Sequence, residues 1–197
     1  MDNMNTHIQT ILSEQLSEFP LGMEYGHRAV GDKIEADCST LISQQYPNEY
    51  LRPTSKRSIE DFSIVSEGVH TFCDVKTHYI QDGDGGFSMP NLISVKRLKK
   101  LLENPSQALA YVFVDYTRSG GMVHIQDVHV KYVWELDWSI LGIGALGKGQ
   151  LQIKDANKEL VFTDMGKEAW FEVLKVKVRE FYNKELVKIN KELNLWK

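Results

Sequence analysis

Residues 59–80, IEDFSIVSEGVHTFCDVKTHYI, decide the fold of this chain. Two runs rich in β-branched and aromatic residues flank Ser66-Glu67-Gly68, the pattern of a β-hairpin. Strand side chains alternate between faces, so Phe72, Asp74, Lys76 and His78 point one way, and Cys73, Val75 and Thr77 the other. A turn centred on Glu67-Gly68 sets Ser66 opposite Val69 and, stepping outward, Asp61 opposite Asp74. Opposed Cβ atoms in such a ladder sit about 4.5–5.5 Å apart, and like charges there repel. Two carboxylates that close need a cation between them, or one must take a proton. Oxygen-only ligands favour a hard ion, Mg2+ above all, which keeps waters and accepts phosphate oxygens. Lys76 lies about 7 Å from Asp74 along the same face, two strand steps away. Acids, hard ion and ammonium together form equipment for phosphodiester hydrolysis, the ion polarising the phosphoryl group and activating water while the ammonium steadies developing charge.

The rest of the chain supplies the frame. Asp32 followed by Glu35 has capping-box spacing, and Ile34, Cys38, Leu41 and Ile42 follow at helical intervals, predicting a helix over about 33–46 that stops before Pro47. Residues 48–58 form a polar connection, and the glycine- and aspartate-rich stretch 81–90 a loop. Asn91 is placed to cap a helix over about 92–103, closed by Asn104-Pro105. Residues 109–117 and 122–133 are strands joined by the turn Arg118-Ser119-Gly120-Gly121. Four glycines punctuate 141–155, whose end, QLQIK, alternates as a strand. Apolar positions from Trp170 to Leu193 mark a long amphipathic C-terminal helix with one break. This order predicts an α/β (α+β) fold, a mixed β-sheet flanked by helices.

With 197 residues and 42% hydrophobic content, the chain is expected to form a single domain over residues 1–197. It has no apolar run of membrane-spanning length, and its first residues are polar and acidic, so neither a membrane span nor a signal peptide is expected and a cytoplasmic location follows. Two cysteines, Cys38 and Cys73, show no C-x-x-C spacing and suit reduced, structural roles. A net charge of -4 argues against a uniformly basic, sequence-blind nucleic-acid binder. Positive charge is local: Lys96, Arg97, Lys99 and Lys100 crowd into residues 94–102.

Asp61 with Asp74-Val75-Lys76 resembles the PD-(D/E)XK nuclease core, and the stretch from FCDVKTHYI to MPNLISVKRL is similar to type II restriction endonucleases of the EcoRV and HincII kind. The likeness covers most of residues 27–190, including VGDKIEADCSTLI, SILGIGALGKGQLQIKD and the final helix. It implies a restriction-endonuclease-like core and a homodimer that uses Mg2+, with Mn2+ able to substitute, to cut both strands of double-stranded DNA at a short palindromic site. By the same resemblance Asp61 and Asp74 are metal ligands, Val75 adds its backbone carbonyl, and Lys76 is the catalytic lysine. One departure is that Glu60 stands where the motif has proline.

Other positions carry two readings. Glu35 lies on the helix that in relatives supplies an accessory acid, but a capping box also explains it. Asn91 matches a family Pro-Asn beside the DNA, or is a helix cap. Thr77 suits a phosphate contact. Lys96 and its basic neighbours form either a backbone-tracking face or a solvated one. Lys148 and Gln150 offer donors to base edges, against simple glycine punctuation of a hairpin. A repair or junction-resolving nuclease on the same core, and a catalytically inactive sequence-specific DNA-binding protein on the same fold, are the rival readings.

Overall fold

The structure, a computed structural model, describes residues 2–22, 24–55, 58–80, 91–144, 149–154 and 159–196. The chain divides into two compact units, residues 1–88 with 104–133, and residues 89–103 with 134–197. Among the described residues no helix is long and apolar enough to cross a membrane.

The first unit is built on a six-stranded sheet. In chain order its elements are α1 (Asp2–Gln15), β1 (Phe19–Pro20), α2 (His27–Gln45), β2 (Tyr50–Leu51), β3 (Phe62–Ser66) and β4 (Val69–Tyr79), then β6 (Gln107–Ser119) and β7 (Met122–Tyr132). The sheet order is β1-β7-β6-β4-β3-β2, with β4 and β6 parallel and every other neighbouring pair antiparallel. This is the mixed sheet with flanking helices that the sequence predicts. The hairpin of β3 and β4 has the expected register, Ser66 against Val69 out to Phe62 against Cys73. Its two-residue turn places Glu67 at φ 51° and Gly68 at φ 77°. Positive φ at both central residues matches the twist of the flanking strands, and glycine adopts it without strain.

Helix α2 begins six residues before the predicted start, with Gly26 as an N-cap that contributes no side-chain bond. Asp32 and Glu35 are therefore interior residues and not a capping box: the local spacing imitates a cap, while burial of an earlier turn fixes the true start. Val30, Ile34, Cys38 and Ile42 recur every fourth residue and are fully buried. Each aliphatic member of that stripe contributes about 1.5–3 kcal/mol of burial. Gly31 lets the helix come close to β4, since a Cβ there would lie 3.2 Å from Thr77 Oγ1. Cys38 and Cys73 are both buried and unbridged.

The second unit holds β5 (Asn91–Ser94), α3 (Val95–Leu102), β8 (Leu141–Gly144), β9 (Gln150–Ile153) and α4 (Lys167–Asn194), with a short 3-10 helix, Val133–Glu135, leading into it. Its sheet runs β5-β9-β8, all antiparallel. Asn91 starts a strand and does not cap a helix; the cap of α3 is Ser94, whose Oγ accepts the Arg97 N–H at 3.4 Å. Pairing of β5 with β9 extends the chain through Ser94, a long-range contact that local capping chemistry does not reveal. Helix α4 runs unbroken, against the expectation of one break. Trp170 anchors it: wholly buried, it donates from Nε1 to Leu136 O at 2.8 Å and stacks on Trp138 at 4.7 Å.

Candidate active site

The ladder ends at Phe62 against Cys73, and the Asp61 N–H donates to Cys73 O at 2.8 Å, one residue off the direct pairing with Asp74 that the turn predicts. Its side chain turns back along β4, and Oδ2 accepts the Val75 N–H at 2.6 Å. Asp61 is thereby oriented by the backbone immediately after Asp74. Asp74 is 9% exposed, and Lys76 Nζ stands 2.5 Å from its Oδ2. The two residues share a face because they are two strand steps apart.

The electrostatics follow from crowding acids in a dry place. Burial pushes the Asp74 carboxyl up to about 7; Lys76 opposes this by charge and hydrogen bond, and Asp61 and Glu35 reinforce it. Burial also raises Asp61, against the pull of the Val75 N–H and Lys76. Glu35 is raised by burial and then by the charges of Asp61 and Asp32, with a hydrogen bond to Asp61 in the same direction. The interior of α2 thus brings a third carboxyl to Asp61, which is where Glu35 belongs in place of a cap.

Three acids against one ammonium leave an excess of negative charge that is partly removed from water, and a divalent cation is the natural neutraliser. Among the described residues no three Asp, Glu, His or Cys side chains close into a metal-holding set. Mg2+ is typically held by one or two carboxylates and completes its shell with water and substrate phosphate. The residues therefore fit such an ion, with Asp61 and Asp74 as its carboxylates.

The remaining candidates are dispersed. Thr77 faces α2 through its contact with Gly31, on the side of β4 opposite Lys76. Asn91 is exposed, and its Oδ1 accepts from Gln152 Nε2 at 2.5 Å. Lys96 is exposed on α3, whose Val95, Leu98, Leu101 and Leu102 are buried, so the four basic residues occupy the outer face. Lys99 pairs with Glu103 at 2.7 Å. Gln150 is half-buried on β9 opposite Gly144 and Ser94, alternating with inward Leu151 and Ile153. Lys148 and the loop 81–90 lie outside the described residues.

Two features of the face that carries Asp74 and Lys76 had no signal in the sequence beyond alternation. His78 Nδ1 and Asp115 Oδ1 lie 3.0 Å apart as register partners on β4 and β6. Tyr111 is the β6 partner of Asp74. Only the parallel register, a long-range property, identifies either.

No protein-family model and no curated protein matches the sequence. Among solved structures the chain is similar to NlaIV restriction endonuclease, with a TM-score of 0.58 and 15% sequence identity over 87% of this chain and 78% of that one. The two share a fold: the mixed sheet that carries Asp61, Asp74 and Lys76 belongs to a restriction-endonuclease-like architecture.

Proposed function

We propose that this chain is a type II restriction endonuclease of the PD-(D/E)XK superfamily, acting over residues 1–197 as one nuclease domain. It hydrolyses phosphodiester bonds of double-stranded DNA at a short palindromic site. The observation that carries this reading is the convergence of Asp61 and Asp74, both raised by burial, beside the Lys76 ammonium. The fold shared with a restriction endonuclease supports it. A homodimer follows from the two-fold symmetry of a palindromic target.

Asp61, Asp74 and the Val75 carbonyl would hold Mg2+ or Mn2+, which supplies Lewis-acid polarisation of the phosphoryl group and a lowered pKa for a water. The chain's own residues do the rest. The Val75 N–H fixes the direction of the Asp61 carboxylate, so that acid needs no reorganisation on binding. Lys76 neutralises Asp74 in the resting site and, once Asp74 is otherwise compensated, directs its ammonium to the phosphate and the attacking oxygen. Glu35 adds charge from α2 through Asp61. Lys96 and its neighbours on α3 track the phosphate backbone, Asn91 contacts DNA, and Lys148 and Gln150 offer donors to base edges, whereas Thr77, turned toward α2, is not given the phosphate contact the sequence suggested.

Incubation of the purified chain with plasmid and phage DNA in Mg2+ is expected to give discrete bands, abolished by a chelator and by Asp74→Ala. Cleavage confined to mismatched or branched DNA would replace this reading with a repair nuclease. Specific binding in Ca2+ without turnover in Mg2+ would leave a catalytically inactive binding protein.

A further inference from the structure

Tyr111 presents a buried donor beside Asp74. The parallel ladder makes the two residues partners, and partners on strands about 4.8 Å apart send their side chains to one face. The ring is 0% exposed and lies tilted against Phe113, centroids 5.7 Å apart. Its hydroxyl has no hydrogen-bond partner among the described residues. A buried O–H without an acceptor costs stability, and folded proteins keep few of them. Phenylalanine would fill the same space without that cost. Burial and the nearby charge of Asp74 drive the phenol's pKa well above its ordinary value, so the group remains a donor at every working pH.

Asp74 spends Oδ2 on Lys76 in this arrangement. A carboxylate that turns from Lys76 toward a divalent cation gives up a charge-assisted hydrogen bond and is left deep in a dry site. Tyr111, its register partner on β6, carries on the same face a donor that no described residue engages. We infer that Tyr111 is a positioning residue whose hydroxyl is held in reserve for Asp74, taken up when that carboxylate leaves Lys76 for a divalent cation. The inference rests on the nuclease reading, because it needs the acids to hold an ion. The groups that face Asp74 and share in its titration are Lys76 on β4, Asp61 ahead of β3 and Glu35 on α2. Lys131 on β7 lies one strand further, opposite Tyr111.

The test compares Tyr111→Phe with Tyr116→Phe in the full chain. Tyr116 is also buried, but its hydroxyl bonds His27 Nδ1 at 2.8 Å. Without divalent ions, Tyr111→Phe is expected to melt at or above the wild-type temperature. By calorimetry it binds Mn2+ about tenfold more weakly, the loss of one hydrogen bond to a charged group, and the pH midpoint of Mn2+ binding moves up. Tyr116→Phe is expected to do the reverse, melting lower and binding Mn2+ as the wild type does. If Tyr111→Phe matches wild type in Mn2+ affinity and pH midpoint, or melts clearly lower without ions, the inference is overturned while the nuclease reading stands. A wild-type chain that neither binds Mn2+ nor cuts DNA overturns both.

Discussion

The Asp61 carboxylate is tied to the Val75 N–H at 2.6 Å, so the first acid of the site is oriented by the peptide unit directly after the second. Two substitutions separate that structural bond from the chemistry. Asparagine at position 61 still accepts the N–H through its amide oxygen but carries no charge. Asp61→Asn is therefore expected to melt within a degree or two of wild type while losing Mn2+ binding and at least about 100-fold in cleavage, more than the change of a group that only supports a ligand costs. Asp61→Ala also strands the Val75 N–H and loses about 1–3 kcal/mol of stability. Paired melting and cleavage measurements check both; equal destabilisation by Asn and Ala would show that the bond does not orient the acid.

Asp74 makes the ion-free chain sensitive to pH. Burial raises its folded value to about 7 from an ordinary 3.8, so between these limits the folded state binds more protons than the unfolded one. Stability without divalent ions consequently falls as pH rises from about 4 to about 7 and then levels off. A gap of this size corresponds to roughly 4 kcal/mol. Asp74→Asn removes the titration, so its melting temperature is expected to gain on wild type by several degrees between pH 5 and pH 8. Mn2+ at pH 8 then raises wild type alone. A difference between the two proteins that does not change with pH refutes the assignment.

The hairpin was legible because two local rules suffice for it. Period-two alternation sets the faces, and a two-residue turn at Glu67-Gly68 sets the register as far as Phe62 against Cys73, while the slip by one residue at Asp61 lies beyond what those rules give. The helix boundaries failed for the opposite reason. Asp32 with Glu35 imitates a cap inside α2, and Asn91 imitates one before α3, while the true limits come from packing of Val30 and from β5 pairing with β9. The place of Tyr111 beside Asp74 likewise depends on pairing between segments distant in sequence.

Glu35 discriminates between its two roles by what its loss changes. As an interior residue of α2 it supports no cap, so Glu35→Gln is expected to leave the melting temperature at pH 8 unchanged or higher, since one of three crowded carboxyls is gone. Mn2+ affinity should fall by about tenfold, the lower end of the range seen when groups outside the direct ligands are changed. A large loss of helicity by circular dichroism with unchanged Mn2+ binding would restore the structural reading.

Lys76 holds Asp74 at 2.5 Å and is 23% exposed, close enough to water to reach a bound phosphate. Lys76→Met keeps much of the stem's packing and removes the charge. Cleavage is expected to drop by about 100-fold or more, the scale on which a single stabilising donor contributes to transition-state charge. DNA binding in Ca2+ should persist. Measuring the two separately distinguishes a catalytic ammonium from one that merely neutralises Asp74, whose removal would weaken Ca2+-dependent binding instead.

The outer face of α3 yields a prediction that does not involve the acids. Lys96 and Lys100 are exposed, whereas Lys99 is engaged with Glu103 at 2.7 Å. If the face tracks phosphates, each released counterion steepens the salt dependence of binding by about 0.9 in log–log slope. The double change Lys96→Ala with Lys100→Ala is expected to flatten that slope by about 2 and to weaken binding to cognate and unrelated duplexes alike. Lys99→Ala should flatten it less, because Glu103 already offsets part of that charge. Mn2+ affinity is expected to stay at the wild-type value in both variants. Titrations of labelled duplex at several salt concentrations in Ca2+ decide the matter: an unchanged slope in the double variant makes the face ordinary solvated surface and moves the phosphate contacts elsewhere on the chain.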